Sequence, residues 1–303
     1  MRKIVLNNRL KETFTKLRRK IALIIIAVAL ILWSVLPLYY ILIAAFMWET
    51  DVVSRPPQIF PTNPTFSNIL RVLGFPAPGI TGEMLRPAGY PVVEGLTNSA
   101  IVASIVTLIA MAVSVPAGYV LGRYNVPKRN AFLMLILGTR TLPPISIVIP
   151  YFILFKTIGL LGTHLGLIIA HLSLIIPLIT WILMGFFATL PRELEKQARI
   201  DGFSRMGAFL RIVLPTASSG IATCAIIAFL TSWNEFIMAW ILTTGSKAQT
   251  LPTVLATMFT MNIGLSIFAV ANFLATFPAI LIAVTLQRHI TRLRIVDPLT
   301  QII

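Results

Sequence analysis

The chain has 303 residues, of which 57% are hydrophobic and only 12% charged, at a mean hydropathy of +0.88. Water-soluble domains carry about a quarter charged residues as a polar skin, so this composition excludes an ordinary soluble fold and divides the length into membrane spans. The formal net charge of +15 sits mostly at the ends of apolar runs; no basic stripe with interleaved aromatics occurs in a polar stretch, which argues against a nucleic-acid partner.

Residues 1–20 form a basic N-terminal segment with eight Lys and Arg. The apolar run behind it, 21–46, is 26 residues long. That exceeds the roughly 7–15 residues of a signal-peptide core, so a retained first span is expected. Five further runs follow at 99–121, 131–155, 164–187, 217–242 and 265–286. Each approximates the ~20 residues that cross a hydrocarbon core of about 30 Å. The expected fold is an all-α membrane domain over 21–303 with six spans in contact with lipid. Pro143, Pro144 and Pro150 interrupt the third run and predict a kink there.

With the N-terminus in the cytoplasm, the cytoplasmic pieces hold nineteen of the 25 Lys and Arg and the external pieces five. Arg140 lies inside the third run. This asymmetry follows the positive-inside rule, so both termini of a multi-pass cytoplasmic-membrane protein are expected inside. The external segment 47–98 is rich in Pro and Gly and reads as loop with at most short helices.

The cytoplasmic segment 188–216 differs in character. Pro191 suits a first helical turn, and Glu193 and Glu195 fall near its positive end. The first helix is expected to end near Ile200, with Gly202 at positive φ as the stop. A second short helix over 204–213 places Met206, Phe209, Leu210 and Val213 on one face, and Pro215 ends it before the fifth span. Such an exposed helix–turn–helix is either a docking knob for a soluble partner or an interfacial pair lying on the membrane.

The same segment resembles the EAA loop of ABC-importer permeases: EAA, three residues, Gly, nine residues, Ile, any residue, Leu-Pro. Gly202, Ile212, Leu214 and Pro215 fall in register, and Ala198 matches the last position of the triplet. The triplet reads Lys196-Gln197-Ala198, so a lysine replaces the usual acid. Arg199-Ile200-Asp201-Gly202 matches the fuller form found in carbohydrate importers. Over about 98–259 the chain resembles the maltose-type permeases, through Asn98-Ser99, Pro143-Pro144, Pro150, Gly159-Leu160, Pro177, Trp233-Asn234-Glu235-Phe236 and Thr250-Leu251-Pro252. The tail 292–303 lacks that family's glycine-rich ending.

This resemblance implies a type I ABC importer permease fold in which 188–216 forms the coupling helix. It also implies a second permease subunit, two ATP-hydrolysing subunits, a solute-binding protein outside and a sugar substrate.

 The chain itself is expected to be no enzyme. It has no phosphate loop, since Gly245-Ser246-Lys247 lacks the upstream spacing and a preceding strand. It has no metal-ligand spacing, with only His164, His171 and His289 available. ATP and Mg are therefore expected on the partner ATPase, with no cofactor here.

Within that framework the coupling residues implied are Glu195, Lys196, Gln197, Ala198, Asp201, Gly202, Ile212, Leu214 and Pro215. Polar groups inside spans are costly and mark a pathway or a helix contact. Trp233, Asn234 and Glu235 therefore either line the sugar pathway, by hydroxyl partners and an aromatic face, or brace packing and the subunit interface. Arg140 is a candidate counter-charge for Glu235, and Cys224 reads as a small packing residue. The loop 243–264, with Lys247, Gln249 and Asn262, resembles the external loop that meets the binding protein. A secondary transporter would show inverted repeats and several intramembrane acids; Glu235 is the only acid deep in a span. A purely structural subunit would not need the cytoplasmic knob.

Overall fold

The computed structural model describes residues 2–261 and 263–290. Asn262 and the tail 292–303 lie outside them. The chain divides into two units, one of 1–88 with 264–273 and one of 89–263 with 274–303.

In the first unit, α1 (Arg2–Ala44) joins the basic N-terminal segment and the first apolar run in one helix. Its stretch Arg18–Ala44 is long and apolar enough to cross a membrane, and the most apolar part of it buries nothing within the chain. The external segment then forms α2 (Glu49–Val52), α3 (Ser67–Val72) and a two-stranded antiparallel ribbon, β1 (Ala77–Pro78) with β2 (Met84–Leu85), pairing Ala77 with Leu85. Short helices agree with the Pro/Gly-rich reading; the ribbon is an addition to it. Buried Asn68 ties the segment down by donating to the carbonyls of Ala45 (3.2 Å) and Met47 (2.7 Å). Glu49 accepts from the backbone N–H groups of Leu265 and Ser266, satisfying free donors at a helix start.

The second unit centres on α4 (Val92–Arg123), α7 (His164–Thr189) and α11 (Ser218–Trp233). Their shared core includes Val106, Ile179, Leu183, Phe187 and Cys224. Helices α4 and α7 approach closely because Gly118 and Gly122 face the second helix. A Cβ on Gly118 would lie 2.8 Å from Leu183 Cβ, and one on Gly122 2.6 Å from the Met184 carbonyl oxygen. Small residues four apart are the usual means of bringing membrane helices together. Ser114 and Thr180, both buried, hydrogen-bond across the same seam at 3.0 Å.

The spans depart from six uninterrupted helices. Among the described residues, four helices are long and apolar enough to cross: Arg18–Ala44, Val92–Arg123, His164–Thr189 and Leu265–Ile282, the last within α14 (Leu265–Ile290). The third predicted span is two helices, α5 (Arg129–Thr141) and α6 (Pro144–Thr157). The break comes at Leu142 and Pro143, which are extended with ψ of 127° and 136°; a residue before proline is pushed out of the helical region, and here two prolines follow in succession. The fifth predicted span is also divided, into α11 and α12 (Ile237–Thr243), with 234–236 between them. The loop 243–264 is not all loop, since α13 (Leu251–Thr260) starts there with Pro252 in its first turn. Asn98 on α4 holds the entry to α13 by donating to the carbonyls of Lys247 (2.9 Å) and Gln249 (2.8 Å).

Candidate functional site

The loop after α7 folds as two short helical arms about a tight turn. The first arm is α8 (Glu193–Ile200), the second α9 (Arg205–Ala208). Gly202 sits between them at φ +87°. Its N–H bonds the Arg199 carbonyl (3.2 Å), and the Phe203 N–H bonds that of Ala198 (3.0 Å). This pair of backward bonds is the Schellman ending, which needs a left-handed residue at the glycine position. Ser204 then caps the second arm by accepting from the Gly207 N–H at 3.1 Å.

Beyond α9 the chain departs from the expected regular helix. A π turn covers Phe209–Val213 and α10 (Leu214–Thr216) continues through Pro215. The helical stretch runs only one residue past Pro215, to Thr216. The direction changes at Ala217, with a bend of 75° between Arg205–Thr216 and Ser218–Trp233. The π turn also changes the angular phase of the side chains. The four residues expected on one apolar face are therefore split: Phe209 and Val213 are buried, whereas Met206 and Leu210 are 64% and 50% exposed.

The loop is fastened to the end of α4 by Arg123. Its Nε is 2.8 Å from Glu195 Oε1, and its two terminal nitrogens donate to the carbonyls of Leu190 and Pro191. The Arg123 side chain is 2% exposed and that of Glu195 20%. Removing one member of a buried ion pair typically costs about 3–5 kcal/mol, and the partial exposure of Glu195 puts this pair near or below the lower end. Arg123→Lys retains charge but not the fork that reaches three acceptors. It should therefore lower the melting temperature of the purified protein and the ATP-dependent uptake of the assembled importer together; unchanged uptake would show that the fastening is dispensable.

Of the residues singled out in the loop, Ala198 is buried, Ile212 and Leu214 are half-buried, and Lys196, Gln197, Asp201, Gly202 and Pro215 are exposed. Lys196 lines a cleft of about 190 Å³ with Arg192, Arg199 and Arg205. The side chain of Arg140 lies outside the described residues, so its pairing with Glu235 is not part of this geometry.

Glu235 is held by His171 of α7. Its Oε2 lies 3.2 Å from His171 Nε2, while His171 Nδ1 lies 2.8 Å from Ser232 Oγ. One fully buried imidazole thus contacts the end of α11 and the break that follows it. The Glu235 carboxylate also accepts the backbone N–H groups of Met238 (2.9 Å) and Ala239 (3.0 Å), donors that a helix start leaves free. Trp233 is packed rather than open: it is 4% exposed, stacks on Phe229 and donates Nε1–H to the Ala275 carbonyl at 3.1 Å. Asn234 is exposed, with its amide donating to Leu230 O of its own helix at 2.9 Å.

Sequence reasoning counted Arg123 only as an orientation charge and His171 only as a poor metal candidate. The available signal was a cation at the very end of a span and an imidazole in the middle of another. Among the described residues no group of three or more His, Cys, Asp or Glu is placed to hold a metal ion.

Long apolar helices, two predicted spans that are broken, and a helical hairpin fastened to the end of α4 define a helical membrane protein. The family described as binding-protein-dependent transport system inner membrane component matches residues 114–295, and the chain belongs to it. The chain is 31% identical over 228 residues to a sulfoquinovosyl glycerol transport system permease of Agrobacterium fabrum, covering 75% of each chain. It is 28% identical over 274 residues to a trehalose/maltose transport system permease of Thermococcus litoralis, covering 90% of this chain and 94% of the other. In fold it is similar to a chain of a bacterial ABC transporter involved in import of the acidic polysaccharide alginate, at a TM-score of 0.69 and 19% identity over 89% of this chain and 96% of that one. The protein is thus a multi-pass inner-membrane component with the type I ABC importer permease fold, a transport subunit and not an enzyme.

Proposed function

We propose that this chain is a permease subunit that carries a sugar, of di- or oligosaccharide size, inward across the cytoplasmic membrane. ATP and Mg are handled by two ATPase subunits, one of which docks on 188–216. A second permease completes the pathway, a solute-binding protein delivers the sugar from outside, and both termini lie in the cytoplasm. The observation that carries this reading is the rigid hairpin at Gly202, which exposes Ile200, Met206 and Leu210 (84%, 64% and 50%). Exposed apolar side chains on a stiff projection suit a partner's cleft. The sugar is supported by the relatives named as trehalose/maltose and diacetylchitobiose permeases. Asn234, exposed at the break in the fifth span, is the residue here best placed to meet it.

Two measurements test this. Cysteines placed at Thr62 and Ser246 should react with an impermeant reagent from outside, whereas one at Ser204 should not; external reactivity at Ser204 would reverse the topology. Lys196→Glu should fail to raise ATP-dependent uptake, because the lysine stands among Arg192, Arg199 and Arg205 and matches an acidic or neutral surface on the ATPase. A clear gain in uptake would refute that complementarity.

A further inference from the structure

Two cavities meet at the base of the hairpin and share Tyr119, Tyr124 and Arg205. The first, of about 190 Å³, presents Arg192, Lys196, Arg199 and Arg205. The carboxylate on its wall, Glu195, is 2.8 Å from Arg123 Nε, so that pair balances itself and leaves four cations facing the cleft. The Arg205 guanidinium lies 5.8 Å from the Tyr124 ring centroid, and the hydroxyls of Tyr119 and Tyr124 are 3.2 Å apart.

The second cavity, of about 340 Å³, is apolar, lined by Pro116, Val120, Met206 and Phe209. Pro116 precedes Arg123 by seven residues on α4, which is about 10 Å along the helix axis. The groove therefore runs from the charged end of the helix into the depth of the span. A soluble subunit reaches the cleft but cannot follow the groove into hydrocarbon. A free anion fills the cleft and leaves the groove empty. A molecule that fits both has an anionic head and an apolar tail.

We propose that the two cavities form one site for an anionic phospholipid of the cytoplasmic leaflet. Its phosphate lies among Arg192, Arg199 and Arg205, and an acyl chain lies along Pro116 and Val120. Basic pockets beside spans on the cytoplasmic side are suited to such headgroups, and the two tyrosines supply the aromatic rings that favour an interfacial level. A lipid held there touches α8 through Arg199 and α9 through Arg205, bracing both arms of the hairpin. This inference rests on the cytoplasmic placement of 188–216 proposed above.

The test uses the assembled importer in nanodiscs of phosphatidylcholine with phosphatidylglycerol, followed by gentle extraction and quantification of retained lipid by native mass spectrometry. The wild type should retain phosphatidylglycerol over phosphatidylcholine. Arg199→Gln/Arg205→Gln should weaken that retention about thirtyfold, at about 1 kcal/mol per cation. Val120→Trp, which fills the groove without changing charge, should weaken it as well. Equal retention in the charge variant would overturn the site. Loss of the ATPase from the charge variant with phosphatidylglycerol still bound would overturn it in favour of a protein-docking cleft. Wild-type retention in Val120→Trp would reduce the site to a headgroup or free-anion cleft, and dissociation of the second permease by that variant would make the groove a subunit contact; either overturns the proposal. Ser204 labelling distinguishes these outcomes from a failure of the topology.

Discussion

Gly202→Val should reduce ATP-dependent uptake by about tenfold or more, the factor that a misplacement worth about 1.4 kcal/mol produces, while the amount of chain in the membrane changes little. Gly202 has φ +87°, and a Cβ built on it meets nothing within 4 Å. The cost is therefore conformational rather than steric crowding by neighbours. An L-residue in the left-handed region pays about 1–2 kcal/mol, and a β-branched side chain adds its own stiffness. The chain relieves this by giving up the bonds from Gly202 N–H to Arg199 and from Phe203 N–H to Ala198. Losing them reorients α9 against α8 and so scatters Ile200, Met206 and Leu210. The spans are built from other contacts and remain inserted. Gly202→Asn should come closest to the wild type, because asparagine tolerates this conformation better than other side chains. Uptake and copurification of the ATPase are measured for both; full uptake and full copurification with Gly202→Val would remove the coupling role from this turn.

His171→Ala is expected to have the larger effect on the assembled protein. The imidazole is fully buried and contacts Ser232 at the end of α11 and Glu235 within the break. Its removal strands the Ser232 hydroxyl, at about 1–3 kcal/mol for an unsatisfied buried group, and leaves the Glu235 carboxylate with only its two backbone donors. The cavity left by the ring adds to that. The turn at 234–236 then loses its hold on α7, so both thermal stability and transport should fall. His171→Gln offers a polar group of similar reach and should recover part of the loss. The comparison that decides the partner is Arg140→Ala. If that variant lost transport and stability while His171→Ala kept them, the counter-charge of Glu235 would be the arginine and the imidazole clamp would be wrong.

The sequence by itself determined the membrane character, the location of the apolar runs and the turn at Gly202. Run length against bilayer thickness is a one-dimensional property, and the ending at Gly202 depends on a few adjacent residues; α7 and the start of α14 fall where the apolar pattern puts them. The prolines at 143 and 144 marked a disturbance in the third run, although not its full division. Other features had no local signature. Trp233 and Asn234 are adjacent in sequence, yet one is packed beneath Ala275 and the other exposed, because the helix ends between them. Arg123 finds Glu195, and His171 finds Glu235, across more than sixty residues of chain. Only the tertiary structure decided these pairings: which charges meet depends on how closely α4, α7 and α11 pack, and that distance is set by side chains such as Gly118 and Gly122 on a neighbouring helix.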